Sequence, residues 1–480
     1  MKKFNLIKFA ALLLAALIPA ITLLLAGVLI PAQYELTFLG ALAPKYERLN
    51  AIEEPKVILV GGSSTAFGLD SALLEESVGM PVVNFGLYAT LGTKLMLDLS
   101  RHGIGEGDIV VLAPEIDAQT LSLYFNAEST WQAVESAPSM LFHMGSDNWG
   151  ELLSGYTGYL GDKFDFYRRG TPDPTGVYNS RNFNEYGDIQ YERPYNTMLL
   201  GYDPNMIISL DADIVETDFI DYVNTYIADA EAKGAKVYFS FPPMNADALS
   251  PDTTEESIYA FYDYLARSLD CQVISNPNDY IYPQGYFYDT NFHLNESGII
   301  LRTAALASDL RRVMGITETL EIELPAPPEK PVEEKPLLPE EIPDTSAYFL
   351  YADIAGGLMI TGLTAEAQAM ESISIPAEAG GKTVVAIGAN AFAGCSALKE
   401  VTIYPNIVQF FDGCFRGASS LTRIIMYHQE ANEKVAVGEQ LFDGLPASAT
   451  LYYTTQAAFT NFAADYYWGA YYSNRMDILP

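Results

Sequence analysis

The sequence predicts an α/β protein, a three-layer α/β/α sandwich on a parallel sheet, followed by a short C-terminal repeat solenoid. Three observations predict it. Short, continuously apolar runs alternate with amphipathic stretches between residues 56 and 314, a Pro/Glu-rich segment follows, and a Phe-x-Gly turn with a short apolar strand recurs beyond it. Strands buried on both faces read as unbroken apolar runs, the mark of a parallel sheet covered by helices.

The elements follow in order. Lys2, Lys3 and Lys8 precede an uncharged stretch, Phe9 to Tyr34, dominated by Leu, Ala and Ile. A bilayer span takes roughly 20 apolar residues, and lysines on the N-terminal side put the body outside the cytoplasm. Residues 1–34 therefore read as a cytoplasmic N-terminus and membrane anchor, with a cleaved signal peptide as the rival. Residues 35–316 form the α/β domain. Its strands are Val57–Val60, Val82–Asn84, Asp108–Ala113, Lys236–Phe241 and Gln272–Ile274. Its helices fall near Asp70–Val78, Thr93–Arg101, Glu216–Lys233, Glu255–Leu269 and Glu296–Val313. Ligands in such sheets bind beyond the C-terminal strand ends.

Between 117 and 209 the alternation lapses into Tyr-, Gly- and Asn-rich sequence, an insertion over the strand ends that is either a cap on the cleft or an irregular packing insert. Residues 317–345, densest at Glu321–Asp344, hold prolines and like-charged glutamates that cannot build a core and keep the chain extended as a linker. The remainder, 346–480, is the repeat module. Ala391-Phe392-Ala393-Gly394-Cys395 with Leu398, Val401 and Ile403 recurs as Cys414-Phe415-Arg416-Gly417 with Leu421, Ile424 and Met426. The step from Phe392 to Phe415 is 23 residues, and a weaker copy starts at Leu441-Phe442-Asp443-Gly444. That period lies in the leucine-rich repeat range.

Composition excludes several functions. A net charge of −34 repels phosphates and argues against a nucleic-acid partner. The three cysteines, Cys271, Cys395 and Cys414, make no disulfide framework or CxxC metal signature. Cys395 and Cys414 are either a pair or buried packing thiols. With no P-loop, dinucleotide fingerprint or metal-ligand cluster, neither cofactor nor metal is expected. The 32 tyrosines are too diffuse to mark a sugar site.

Two motifs carry chemistry. Gly61-Gly62-Ser63-Ser64-Thr65-Ala66-Phe67-Gly68 follows an apolar strand directly, so a serine on a tight strand-to-helix turn is presented at the sheet end. The alternative is a glycine-rich turn whose serines cap a helix. A serine nucleophile needs a base. Of the four histidines only His293 sits in a polar cluster, Tyr288-Asp289-Thr290-Asn291-Phe292-His293-Leu294-Asn295, just before the last helix of the domain.

A serine after the first strand and an Asp/His pair before the last helix resemble the chain order of the SGNH (GDSL-type) esterases and acyltransferases, over residues 56–314. The extracytoplasmic subgroup with GSS-type turns and D-x-x-x-H-L-N endings is the most similar. The resemblance implies a flavodoxin-like sandwich with Ser64 as nucleophile, or Ser63 if the register slips by one. His293 is then the base, and Asp289 orients it. The backbone N–H groups of Ser64 and of Gly86, in Val83-Asn84-Phe85-Gly86, would bind the oxyanion, with Asn84 beside them. The repeats resemble the BspA-type leucine-rich repeats of bacterial surface proteins.

This sequence departs from the family pattern twice. Asp289 lies four residues before His293 rather than three. The third strand leads into Ala113-Pro114-Glu115-Ile116-Asp117, where the family places an oxyanion asparagine; a carboxylate there repels an oxyanion. Asn245 is a substitute donor or a turn residue. The expected function is a cell-envelope serine esterase or O-acyltransferase acting on acyl groups of surface glycopolymers. Its expected partners are the glycopolymer or acyl donor, a membrane O-acyltransferase, and a protein or glycan ligand of the repeats. The rival is a non-enzymatic surface binding protein with a degenerate SGNH domain.

Overall fold

The computed structural model describes residues 30–480 except 175, 199, 320, 330–341, 430–434, 439, 464, 466, 467, 473, 474 and 480, and before them only 8, 15, 17–19, 21–23, 25, 27 and 29. Part of the expected anchor therefore lies outside the described residues, as does the middle of the linker. Among the described residues no helix is long and apolar enough to cross a membrane.

A five-stranded, all-parallel sheet organises the first region. It comprises β1 (Val57–Val60), β2 (Val82–Asn84), β3 (Ile109–Leu112), β4 (Lys236–Phe239) and β6 (Gln272–Val273), in the order β2-β1-β3-β4-β6. The short strands β5 (Met244–Asn245) and β7 (Ile281–Tyr282) pair separately. Successive residues of one strand enter different cores. Ile58, Val60 and Val110 pack with Leu95, Leu99, Phe219 and Val223. Val57, Leu59 and Val111 pack with Leu74, Val78, Leu306 and Leu310 from the helices Ser71–Val78 and Glu296–Met314. This two-sided burial is why the strands read as unbroken apolar runs.

The segment between 117 and 209 is more regular than its sequence suggests. It holds the helices Ala127–Val134 and Trp149–Arg169, the latter 21 residues long. Four glycines and many aromatics weaken intrinsic helix propensity there, but burial of Leu152, Tyr156, Tyr159 and Leu160 overrides it. A Cβ on Gly155 would lie 2.6 Å from the Ala127 Cβ, so that glycine lets the two helices close on each other.

Beyond the linker the chain alternates between two sheets. One contains β8 (Phe349–Ile354), β9 (Gly357–Leu363), β12 (Lys382–Ile387), β14 (Gln409–Phe410) and β16 (Ala436–Val437), with β11 (Glu378–Ala379) paired to β12. The other stacks β10 (Ser372–Ser374), β13 (Glu400–Ile403), β15 (Arg423–Met426), β17 (Thr450–Tyr453) and β18 (Met476–Ile478). The registers Val401↔Ile424↔Leu451 and Ile403↔Met426↔Tyr453 superpose the repeated apolar positions. Phe392 packs on Phe415 at 5.0 Å between ring centres. Cys395 and Cys414 are free and buried in this core.

Candidate functional site

Strand β1 ends at Val60, and the helix Ser63–Phe67 begins after two glycines. A Cβ on Gly62 would lie 2.1 Å from Glu115, so only glycine allows the turn this close to the loop after β3. The two serines therefore point differently. Ser63 Oγ lies 2.8 Å from His293 Nε2. Ser64 Oγ is buried and has no hydrogen-bond partner among the described residues. The hydroxyl that meets the imidazole is thus that of Ser63, the one-residue slip from Ser64, because Ser63 opens the helix and Ser64 already turns into the core.

His293 is held from all sides. Its Nδ1 lies 2.8 Å from Asp289 Oδ1, and Tyr178 donates to Asp289 Oδ2 at 2.5 Å. Four-residue spacing works because the loop folds back on itself: Tyr288 N–H donates to the His293 carbonyl, and Thr290 Oγ1 accepts from His293 N–H. Phe67 stacks on the imidazole at 3.8 Å between ring centres, with planes 3° apart. The Arg193 guanidinium lies over Phe67, 5.1 Å from the ring centre. It is fixed by the carbonyls of Phe67, Leu294 and Ile189, and burial lowers its pKa to about 10. With Nδ1–H donated to a carboxylate, Nε2 is left as the acceptor for the Ser63 hydroxyl proton.

The loops after β2 and β3 differ from the expected oxyanion site. Glu115 Oε1 accepts the Ser64 N–H at 2.7 Å, and the Asn84 side chain accepts the Gly86 N–H at 3.1 Å. Both backbone donors are thus already engaged by side chains. Asn84 also donates to Thr65 O and Asp188, so it braces the turn from beneath. Arg302 donates to the Ser64 carbonyl at 2.5 Å. Burial lowers its pKa to about 10, opposed by the neighbouring Tyr280, Tyr282 and Glu115. Asn245 stays outside the cleft: its Nδ2 donates to Gly201 O, and its Oδ1 caps the turn at Asp247 N–H.

Ser63, Glu115 and His293 form the floor of a cleft of about 250 Å³, with Tyr88, Met206 and Phe292 as apolar walls. Its ionisable lining, apart from His293, is acidic: Glu115, Asp117 and Asp203. Burial raises the Asp117 pKa to about 6, although Thr120 donates to it twice. Sequence reasoning missed Tyr178, Phe67 and Asn291. Asn291 ties the 203–206 segment to the histidine loop by accepting from Asp203 N–H and donating to Asp203 O and Met206 O. Tyr178 lies in the tyrosine-rich insertion, where nothing distinguishes it from its neighbours.

No family model matches the chain, and no curated protein matches it. Among solved structures, the leucine-rich repeat protein of T. pallidum is similar at 16% identity, over 24% of this chain and 71% of that one, with a TM-score of 0.17. A likeness of that size carries no argument.

Proposed function

We propose that this protein is an SGNH-type serine esterase or O-acyltransferase with Ser63 as nucleophile, His293 as base and Asp289 as its orienting carboxylate. The observation that carries the reading is the chain of contacts Ser63 Oγ–His293 Nε2 and His293 Nδ1–Asp289 Oδ1, each 2.8 Å, at the floor of a cleft beyond the strand ends. In the proposed reaction Ser63 Oγ attacks the ester carbonyl while its proton passes to His293 Nε2. The tetrahedral intermediate expels the alcohol, which takes that proton. Water, or a sugar hydroxyl in transfer, then resolves the acyl-serine by the same route reversed.

The proposed setting is the cell envelope, with the N-terminal apolar run as anchor, a surface glycopolymer as acyl donor or acceptor, and a membrane O-acyltransferase as partner. The acidic lining favours uncharged or cationic groups at the reacting centre. In this reading the C-terminal module is a short leucine-rich repeat solenoid that binds a protein or glycan.

The test is labelling of the purified protein by a small fluorophosphonate. Wild type and Ser64→Ala should label, and Ser63→Ala should not. Labelling that survives Ser63→Ala overturns the assignment. A second reading, a surface binding protein that retains the relay without turnover, is favoured by one observation: Glu115 and Asn84 occupy the Ser64 and Gly86 N–H groups. A wild-type protein that neither labels nor hydrolyses small esters would support it.

A further inference from the structure

We propose that the repeat module is the outer wall of the catalytic cleft, with Val437 and Gly438 setting the width of the group admitted to Ser63. The chemistry rests on the esterase reading above, but the geometry does not. The cleft floored by Ser63 and His293 is bounded on another side by Val437 and Gly438. Val437 ends β16, the last strand of its sheet among the described residues, so the cleft is lined from the outer end of that sheet.

The contact beside this wall is shaped for close approach. Asp412 N–H donates to Asn205 Oδ1 at 3.4 Å. A Cβ on Gly438 would lie 2.3 Å from Asp412 Oδ1, 2.7 Å from Asp412 N and 2.8 Å from Asn205 Nδ2, so a side chain there disturbs the Asp412–Asn205 contact. Asn205 is in turn held by the site. Its N–H donates to Asp203 Oδ1, and Asn291, two residues from His293, grips Asp203 through both backbone groups. One short segment thus joins the histidine loop to the module.

The two regions keep separate cores: the residues packed around β1, β3 and β4 share no member with those packed between the repeat sheets. With separate cores, trimming the wall at Val437 is expected to change the width of the cleft while Ser63, His293 and Asp289 keep their contacts. With Glu115, Asp117 and Asp203 as the ionisable lining beside the histidine, the group admitted is a short, uncharged or cationic acyl ester. Bulky acyl groups meet Val437.

The test uses the full-length protein and compares kcat/KM for an acetyl ester and a bulky aryl-acyl ester of the same alcohol. Val437→Ala trims the wall, and Gly438→Phe disturbs the Asp412–Asn205 contact that seats it. Each is expected to raise the bulky-to-acetyl ratio by about fivefold or more, since even one methylene in a pocket discriminates tenfold or better. Labelling of Ser63 by a small fluorophosphonate should stay within about twofold of wild type, because the relay itself is untouched. An unchanged ratio in a folded Val437→Ala protein, judged by its thermal transition, overturns the proposal even if Gly438→Phe fails to fold. A wild-type protein that never labels at Ser63 overturns the esterase reading instead. The wall is then judged by amide hydrogen exchange at Asp412, whose N–H donates to Asn205 and which should exchange faster in Asn205→Ala. Unchanged exchange would overturn it.

Discussion

Beyond the C-terminal ends of the α/β strands the buried side chains include the polar Ser63, Asn84, Glu115 and His293, whereas the aligned positions of the repeat strands bury Val401, Ile424 and Leu451. Both regions are parallel sheets, and both exclude water, but they use the exclusion differently. The repeats gain stability from stacked apolar side chains, each worth about 1.5–3 kcal/mol when fully buried. The strand ends of the α/β domain bury groups that cost about 1–3 kcal/mol each unless a partner satisfies them. In the proposed reading the buried polar groups beyond the C-terminal strand ends hold chemistry, whereas the buried pair Lys56–Asp108 at the opposite ends of β1 and β3 is a matched structural ion pair.

The largest effect that tests this contrast is catalytic. Ser63→Ala and His293→Ala should each lower kcat for a small ester by roughly 10⁴-fold or more, and the double variant should fall no further, since the pair acts as one unit. Ser63→Ala should change thermal stability little, whereas His293→Ala, which takes the imidazole from the Asp289 carboxylate, should lower it. Additive losses would dissolve the relay.

Next comes the repeat core. Ile424 is fully buried, and Ile424→Ala should destabilise the module by about 2–5 kcal/mol. Because the cores are separate, calorimetry should show the module's transition falling while the α/β transition holds. A single transition that shifts as a whole would show the two regions folding as one.

The regions should also respond to acid in opposite directions. His428 is buried among the repeats, its Nε2–H donated to Ile407 O at 2.7 Å, and burial lowers its pKa to about 4. The unfolded chain binds that proton more tightly, so module stability is full above about pH 6.5 and falls towards pH 4, by on the order of 3 kcal/mol. Asp117 runs the other way. Its folded value of about 6 exceeds the ordinary carboxylate value. Its contribution is therefore present at about pH 4 and lost as pH rises to 6, by about 2 kcal/mol after screening at the cleft mouth. His428→Gln and Asp117→Asn should flatten the respective slopes in urea titrations across that range. Slopes that persist in both variants would assign the pH dependence elsewhere.

The smallest expected change is at Glu115. Glu115→Gln keeps an acceptor for the Ser64 N–H and removes a negative charge beside the oxyanion that the proposed reaction would develop. Hydrolysis should rise about tenfold, less than a well-placed new donor gives, because the other carboxyl oxygen is packed against Gly62. A fall in rate would make Glu115 a required brace of the serine turn.

The strands and helices of the α/β domain and the repeated positions of the module were legible because each follows from local periodicity. Val57–Val60 is apolar throughout, and Val401 and Ile424 recur one repeat apart. The long helix Trp149–Arg169 was not legible, since its glycines argue against a helix until the facing helix is in place to need them.

The candidate site divides in the same way. By itself the sequence determined that a serine turn and an Asp/His cluster sit at opposite ends of one α/β unit, and that Glu115 stands where an amide donor is expected. Only the tertiary structure decided that Ser63 rather than Ser64 meets His293, that Tyr178 and Phe67 hold the relay, and that Val437 and Gly438 stand across the cleft. The reason is geometric. Adjacent residues on one helical turn differ by about 100° in direction, so their roles depend on a partner 230 residues away in the chain, and no local pattern encodes that distance.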